Sequence, residues 1–207
     1  MAAKKADPPR AWQRMLSGRR LDLLNPSPLD IEIEDIAHGL ARMSRWNGQT
    51  TGDWPFSVAQ HSMLVEDLLV DRAPDASPAW RMAALLHDAP EYVIGDLISP
   101  FKAAVGLDYK AFELRLLSAI HIRFGLPPEP SATLTKAIKR ADQAAAFVEA
   151  TQLAGFERME AKKLFGAPPA TIDRHHLTPL PTDDVKKEFL KRFDSVNAAL
   201  SGTKKLR

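Results

Sequence analysis

The 207-residue chain has no cysteine, only two tyrosines, and no apolar run approaching the ~20 residues that a membrane-spanning helix requires. The lack of cysteine excludes structural disulfides, iron–sulfur clusters, thiolate zinc sites and cysteine nucleophiles, and it suits a reducing compartment. Any metal site must therefore be built from His, Asp or Glu. The lack of a long apolar run, with basic N-terminal residues that no apolar stretch follows, argues against a membrane association and predicts a cytoplasmic protein.

A large net charge is also missing, the formal value being +2. That small number hides an asymmetry. Residues 1–20 carry six Lys/Arg against one Asp, and residues 204–207 carry three further basic groups. Between Leu21 and Thr203, 19 basic residues face 25 acidic ones, a net of −6. A body of that sign offers no general groove for a phosphate backbone, so nucleic acid is not expected as a partner. Residues 1–20, with Pro8-Pro9 and little amphipathicity, read as a flexible basic arm ahead of one core over 21–203.

Proline, by contrast, is plentiful, and it punctuates the chain at Pro26/Pro28, Pro74/Pro78, Pro127/Pro128/Pro130, Pro168/Pro169 and Pro179/Pro181. The intervening stretches read as helices. Ile33, Ile36, Ala37 and Leu40 mark one ending near Arg42, after an extended stretch through Leu23, Leu24 and Asn25. Ser57 caps a second, running to about Ala73, and Ser77-Pro78 opens a third, Ala79 to about Asp88. From Asp108, the series Tyr109, Phe112, Leu116, Leu117, Ile120 and Phe124 gives a long helix stopped by Gly125. Ser131 opens another, reaching Leu153, and a last one starts at Thr182 with Val185, Phe189 and Phe193 inward. The fold class expected is all-α, a single helical bundle with at most a short N-terminal hairpin and a C-terminal helical extension.

Three segments put polar groups where packing would favour hydrocarbon: His61 on the apolar face of its helix, His87-Asp88 at the end of an apolar run, and Asp142 beside Ile138, Ala141 and Ala145. An ionised carboxylate buried there without a partner would cost several kcal/mol. One divalent ion would meet all four groups, and two imidazoles with two carboxylates suit Mn, Fe, Co, Ni or Zn while leaving room for water. Each residue also has an ordinary reading: a satisfied core histidine, a chance His-Asp pair, or an aspartate paired with Lys139 or Arg140.

The order His61, His87-Asp88, Asp142 resembles the HD-domain metal-dependent phosphohydrolases over roughly residues 37–155. Within that superfamily the chain is similar to the bacterial 5'-deoxynucleotidases, through Arg45-Trp46, His61-Ser62, His87-Asp88-Ala89-Pro90-Glu91 and Gly95-Asp96-Leu97-Ile98-Ser99-Pro100-Phe101-Lys102. The resemblance implies an HD-domain bundle with His61, His87, Asp88 and Asp142 as metal ligands. It implies hydrolysis of the 5'-phosphate of deoxyribonucleoside monophosphates by a metal-activated water. Glu91 would orient that water or exchange protons with it beside Asp88, and Arg45 would fork onto phosphate oxygens. Trp46 would crowd the place of a 2'-hydroxyl, Asp96 would hold the 3'-hydroxyl, and Lys102 would approach the phosphate.

Outside the resemblance, Trp46 reads first as core or interface, Asp96 as a turn or cap residue and Lys102 as a helix-surface lysine, while Glu91 has the alternative of a solvated helix-end acid. Of the six histidines, His38 and His121 fall within amphipathic helices and His175-His176 within a proline-bounded connection. One divalent ion is therefore expected, whether Mn, Co, Fe, Ni, Mg or Zn. Glu149, seven residues after Asp142, could buttress the site or pair with a nearby cation. The segment 47–56 could act as a lid or a substrate-reading loop. Two other functions stay open: a nucleoside triphosphate triphosphohydrolase, and a catalytically weak nucleotide-binding regulatory module. A homodimer through the helices from Asp108 and Thr182 is the expected assembly.

Overall fold

Three serines fix helix starts where the sequence places them, each hydroxyl accepting a backbone N–H of the first turn: Ser57 from Gln60, Ser77 from Trp80 and Ser131 from Leu134. The computed structural model describes residues 11–96 and 109–205. Among these the chain forms α1 (Ile33–Arg42), α2 (Val58–Arg72), α3 (Pro78–Leu85), α4 (Glu91–Ile94), α5 (Tyr109–Arg123), α6 (Ala132–Gln152), α7 (Arg158–Phe165) and α8 (Thr182–Lys205). Ahead of them, β1 (Trp12–Arg14) and β2 (Arg20–Asp22) pair antiparallel, Gln13 opposite Leu21. The fold is all-α with a short N-terminal hairpin.

The hairpin begins inside the stretch read as a flexible arm and crosses its end at residue 20, so the described residues 11–20 are folded onto the core. Leu21 is fully buried and Met15 nearly so. The Ser17 backbone N–H and hydroxyl both donate to the buried Asp35 carboxylate of α1, at 2.9 and 2.6 Å. Arg19 and Arg123 converge on Glu32. Extended structure thus falls at 12–14 and 20–22, not at 23–25, because Asp22 folds back to accept the N–H groups of Leu24 and Asn25 and turns the chain.

Helix α2 is central. It packs against α6 and α3, while α8 lies across α1 and α3 with Val185, Phe189, Phe193 and Val196 buried. Glu66 of α2, also buried, takes Arg81 from α3 and Arg192 from α8, clamping these three helices by charge. Helix α3 ends at Leu85 rather than near Asp88, and residues 86–90 form successive tight turns ahead of α4. Pro90, with no N–H to give a helical ladder, sits at the cap of α4. Those turns carry His87-Asp88.

Two short helices escape the sequence reading. Helix α4 has only four residues, and α7, rich in charge, buries only Ala161. The approach of α4 to α1 is set at Gly39, where an added Cβ would come within 2.8 Å of Tyr92 Cβ and 3.0 Å of its carbonyl oxygen. Alanine would gain about 1 kcal/mol of helix propensity there. Gly39→Ala is nevertheless expected to destabilise by about 1–3 kcal/mol, because the clash is with backbone. Thermal denaturation checks this, and an unchanged or raised melting temperature would contradict it.

Candidate metal centre

His61 lies in the second turn of α2, facing α6, with none of its surface exposed. Across from it, α6 presents Asp142 and, two turns on, the fully buried Glu149. The turn between α3 and α4 brings His87 and Asp88 to the same place. Asp88 Oδ2 stands 3.3 Å from His61 Nε2 and 3.2 Å from His87 Nε2, and the two imidazole centroids are 5.3 Å apart. Asp142 Oδ1 is 3.5 Å from His61 Nε2, so the structure gathers all four residues read as ligands.

Both imidazoles are oriented from behind. His61 Nδ1–H donates to Glu149 Oε1 at 2.5 Å, and His87 Nδ1–H donates to the Ala84 carbonyl at 2.8 Å. Each ring is left with Nε2 toward Asp88, and both Nε2 atoms are buried without a hydrogen bond of acceptable geometry. A buried imidazole nitrogen in that state asks for a ligand. His61, His87 and Asp88 offer donor atoms within 4.8 Å of one another and could hold a metal ion. Two neutral nitrogens and a carboxylate oxygen suit a divalent first-row ion. Asp142 stands at the edge of this trio, its Oδ2 taken by Lys139 at 2.8 Å. The ordinary pairing and the ligand position hold together for that residue.

The residues read from the motifs as substrate-binding meet the same cluster. Arg45 and Trp46 sit in a short 3-10 turn after α1, its base closed by the Ser44–Ser57 bridge. Arg45 Nε donates to Glu149 Oε2 at 3.2 Å and its Nη1 to Asp96 Oδ2 at 3.3 Å. Trp46 Nε1 donates to the same Glu149 oxygen at 2.9 Å, and its ring packs against Phe156 and Phe165. Glu91 is buried, which removes the solvated-acid reading, and its charge reaches Arg45. Lys102, with the rest of its motif from Leu97 on, lies outside the described residues. The 47–56 loop is tied down beside α6, with the Thr51 N–H on the Leu153 carbonyl and Gly52 against Pro179.

The electrostatics favour an added cation. Burial opposes the Arg45 charge, but Glu149, Asp96, Asp88 and Glu91 together outweigh it and raise its pKa far above the usual value. Burial works against each carboxylate as well. His87 and His61 still hold Asp88 well below the usual range, His61 does the same for Asp142, and Arg45 with His61 keeps Glu149 down at about 2. His61 is depressed by burial and Arg45, yet Glu149, Asp142 and Asp88 raise it well above 6.5.

The uncharacterized protein RCAP_rcc00048 of Rhodobacter capsulatus is 55% identical over 194 residues, covering 93% of this chain and 99% of the relative. The chain belongs to the family of that protein. The uncharacterized protein YfdR of Escherichia coli K12 is 29% identical over 168 residues, 81% of this chain and 85% of its own length. No family model matches the chain.

The residue that sequence reasoning underweighted is Glu149. Its only signal was the seven-residue spacing from Asp142, which puts both on one side of α6. Three of the other histidines have partners away from this cluster: His38 meets Arg42, His121 Nδ1–H donates to the Pro127 carbonyl while its Nε2 is buried without one, and His175 pairs with Asp71.

Because the folded pKa of His61 lies above its ordinary 6.5, the protonated ring stabilises the metal-free fold fully below about that pH. The contribution is lost as pH rises through the folded value. Chelator-treated protein is therefore expected to melt lower at about pH 9 than at about pH 6, and a divalent ion, which takes the neutral ring, should weaken or reverse that trend. Equal melting temperatures without metal would contradict the assignment.

Proposed function

We propose that this chain is a metal-dependent phosphohydrolase of the HD-domain type, acting on the 5'-phosphate of deoxyribonucleoside monophosphates. The observation that carries the reading is the convergence of His61, His87, Asp88 and Asp142 from three separate elements, with two buried imidazole nitrogens facing one carboxylate oxygen. The motif resemblance named these four residues, and the geometry supports it. The expected cofactor is a single divalent ion held by His61, His87 and Asp88, with Asp142 completing the set. Such an ion supplies an acidified water as nucleophile and neutralises charge on the phosphoryl group.

The chain's own residues have separable tasks. Asp88 balances both imidazoles and keeps their Nε2 atoms on one point. Arg45 uses Nε and Nη1 to hold Glu149 and Asp96, which leaves its remaining donors for phosphate oxygens in a fixed plane. Glu91, shielded from solvent, is suited to hold or pass a proton close to the reacting group. Trp46, fixed at both its indole N–H and its ring face, forms a rigid wall against the sugar. Asp96, oriented by Arg45, accepts from the 3'-hydroxyl.

Glu149, Asp96, Asp88 and Glu91 all act on the one Arg45 guanidinium, and a phosphate dianion entering so acidic a field unaided would be repelled. This supports a cation as part of the working site. No helix of the described residues is long and apolar enough to cross a membrane. The reading includes a cytoplasmic location, which fits a nucleotide substrate, and a homodimer, for which the exposed Leu114 and Ile122 of α5 supply apolar surface.

The test is phosphate release from deoxy- and ribonucleoside mono- and triphosphates, with metal-stripped protein resupplied separately with Mn, Co, Mg and Zn. Orthophosphate from deoxy monophosphates only, dependent on metal, is expected. Asp88→Asn should abolish it, and Glu91→Gln should lower kcat by about 10²–10⁴-fold at unchanged metal affinity. Triphosphate release from a nucleoside triphosphate would favour the triphosphohydrolase alternative, and binding without turnover would favour the regulatory module.

A further inference from the structure

The Glu149 carboxylate divides its two oxygens between two jobs. Oε1 accepts from Nδ1–H of His61, on the metal side, and Oε2 accepts from Arg45 Nε and Trp46 Nε1, on the substrate side. No surface of Glu149 is exposed. All three donors come from outside its own helix, two from the turn after α1 and one from α2. One carboxylate thus bonds both a ligand of the candidate ion and the two residues placed to read the substrate.

We propose that Glu149 is a positioning residue that couples the two halves of the site, fixing His61 for the ion through one oxygen and Arg45–Trp46 for the phosphate through the other. The inference rests on the metal reading given under Proposed function. A carboxylate behind a ligating imidazole fixes its tautomer and ring plane and raises its basicity, and loss of such a partner costs ligand sites roughly 10- to 100-fold in metal affinity. Here the same carboxylate also holds the guanidinium plane, so tilting it disturbs both ends at once.

The chemistry of an amide makes Glu149→Gln a sharp probe. Glutamine fills nearly the same volume but has one acceptor oxygen, and its NH2 would have to face either His61 Nδ1–H or the Arg45 and Trp46 donors. One side of the link must fail. Glu149→Asp keeps both acceptor oxygens on a shorter stem, so it should retain part of the coupling and guards against a glutamine variant that does not fold.

The experiment titrates cobalt(II) alone into metal-stripped full-length protein, followed by the visible absorption of the bound ion, and then titrates inorganic phosphate into the cobalt form. Circular dichroism establishes folding of each variant. Wild type should bind one cobalt, and phosphate should perturb its band. Glu149→Gln should bind cobalt roughly 10- to 100-fold more weakly with an altered band. It should also need several-fold more phosphate for half-perturbation, with Glu149→Asp in between. Cobalt affinity, band shape and phosphate midpoint all equal to wild type in a folded variant would overturn the coupling while leaving the metal reading intact. Failure of wild type to bind cobalt any better than His61→Ala would overturn the metal reading, and this inference with it.

Discussion

An ionised carboxylate with no exposed surface, in the last turn of an alanine-rich helix, is tolerable only when donors replace the water it has lost. For Glu149 the replacement is His61 on α2 together with Arg45 and Trp46 on the turn after α1. Removing water from such a group costs several kcal/mol, and the cost returns in full if one partner is withdrawn. The register of α2 against α6, and the path of the chain from α1 into α2, are therefore held by charge as well as by shape. A one-residue slip of α2 would carry His61 about 100° around its helix and leave two buried charges unmatched.

That requirement explains why the surrounding packing uses small residues. Ala141, Ala144, Ala145 and Ala146 on α6 and Ala59 on α2 are all buried. Small side chains let the two helices approach closely enough for a short histidine side chain to reach both Asp142 and Glu149, which lie two turns apart. Larger aliphatics at these positions would add apolar contact but separate the helices. The centre was thus placed where the bundle gives up hydrophobic bulk in exchange for charge complementarity. Similar logic recurs midway along α2, where buried Glu66 draws Arg81 and Arg192 inward from two different helices.

Much of this was legible in the chain. Helix starts at Ser57, Ser77 and Ser131 followed from local chemistry, since a hydroxyl before an amphipathic run satisfies backbone donors whatever the tertiary fold. The gathering of His61, His87, Asp88 and Asp142 was legible because polar groups on apolar faces require an explanation and because their order matched the motif resemblance. What stayed hidden depends on distance along the chain. Nothing near Glu149 in sequence signals that Arg45, 104 residues earlier, would pair with it. Nothing local to Trp12–Arg14 marks it as a strand, because a two-stranded hairpin this short is marginal alone and is held by Leu21, Met15 and the Ser17–Asp35 bonds. Helix α4 escaped because four residues carry no period.

The backbone at Trp46 shows how far the site governs its surroundings. Trp46 and Asn47 adopt φ of 56° and 51°, the left-handed region that a tryptophan rarely enters. Each such residue costs on the order of 1–3 kcal/mol and persists only where the neighbourhood over-determines it. At Trp46 that neighbourhood is identifiable: the indole N–H on Glu149, the ring against Phe156 and Phe165, and the Trp46 carbonyl accepting from Gln49 N–H. A tryptophan serving only as core filler would reach a similar burial from ordinary helical backbone without this cost. That strain is held at the residue adjoining Arg45 by the carboxylate that orients His61, and under the proposed function it would set the indole as a rigid wall beside the phosphate. Displacing the indole would take from Glu149 Oε2 one of its two donors, leaving Arg45 Nε alone on that oxygen.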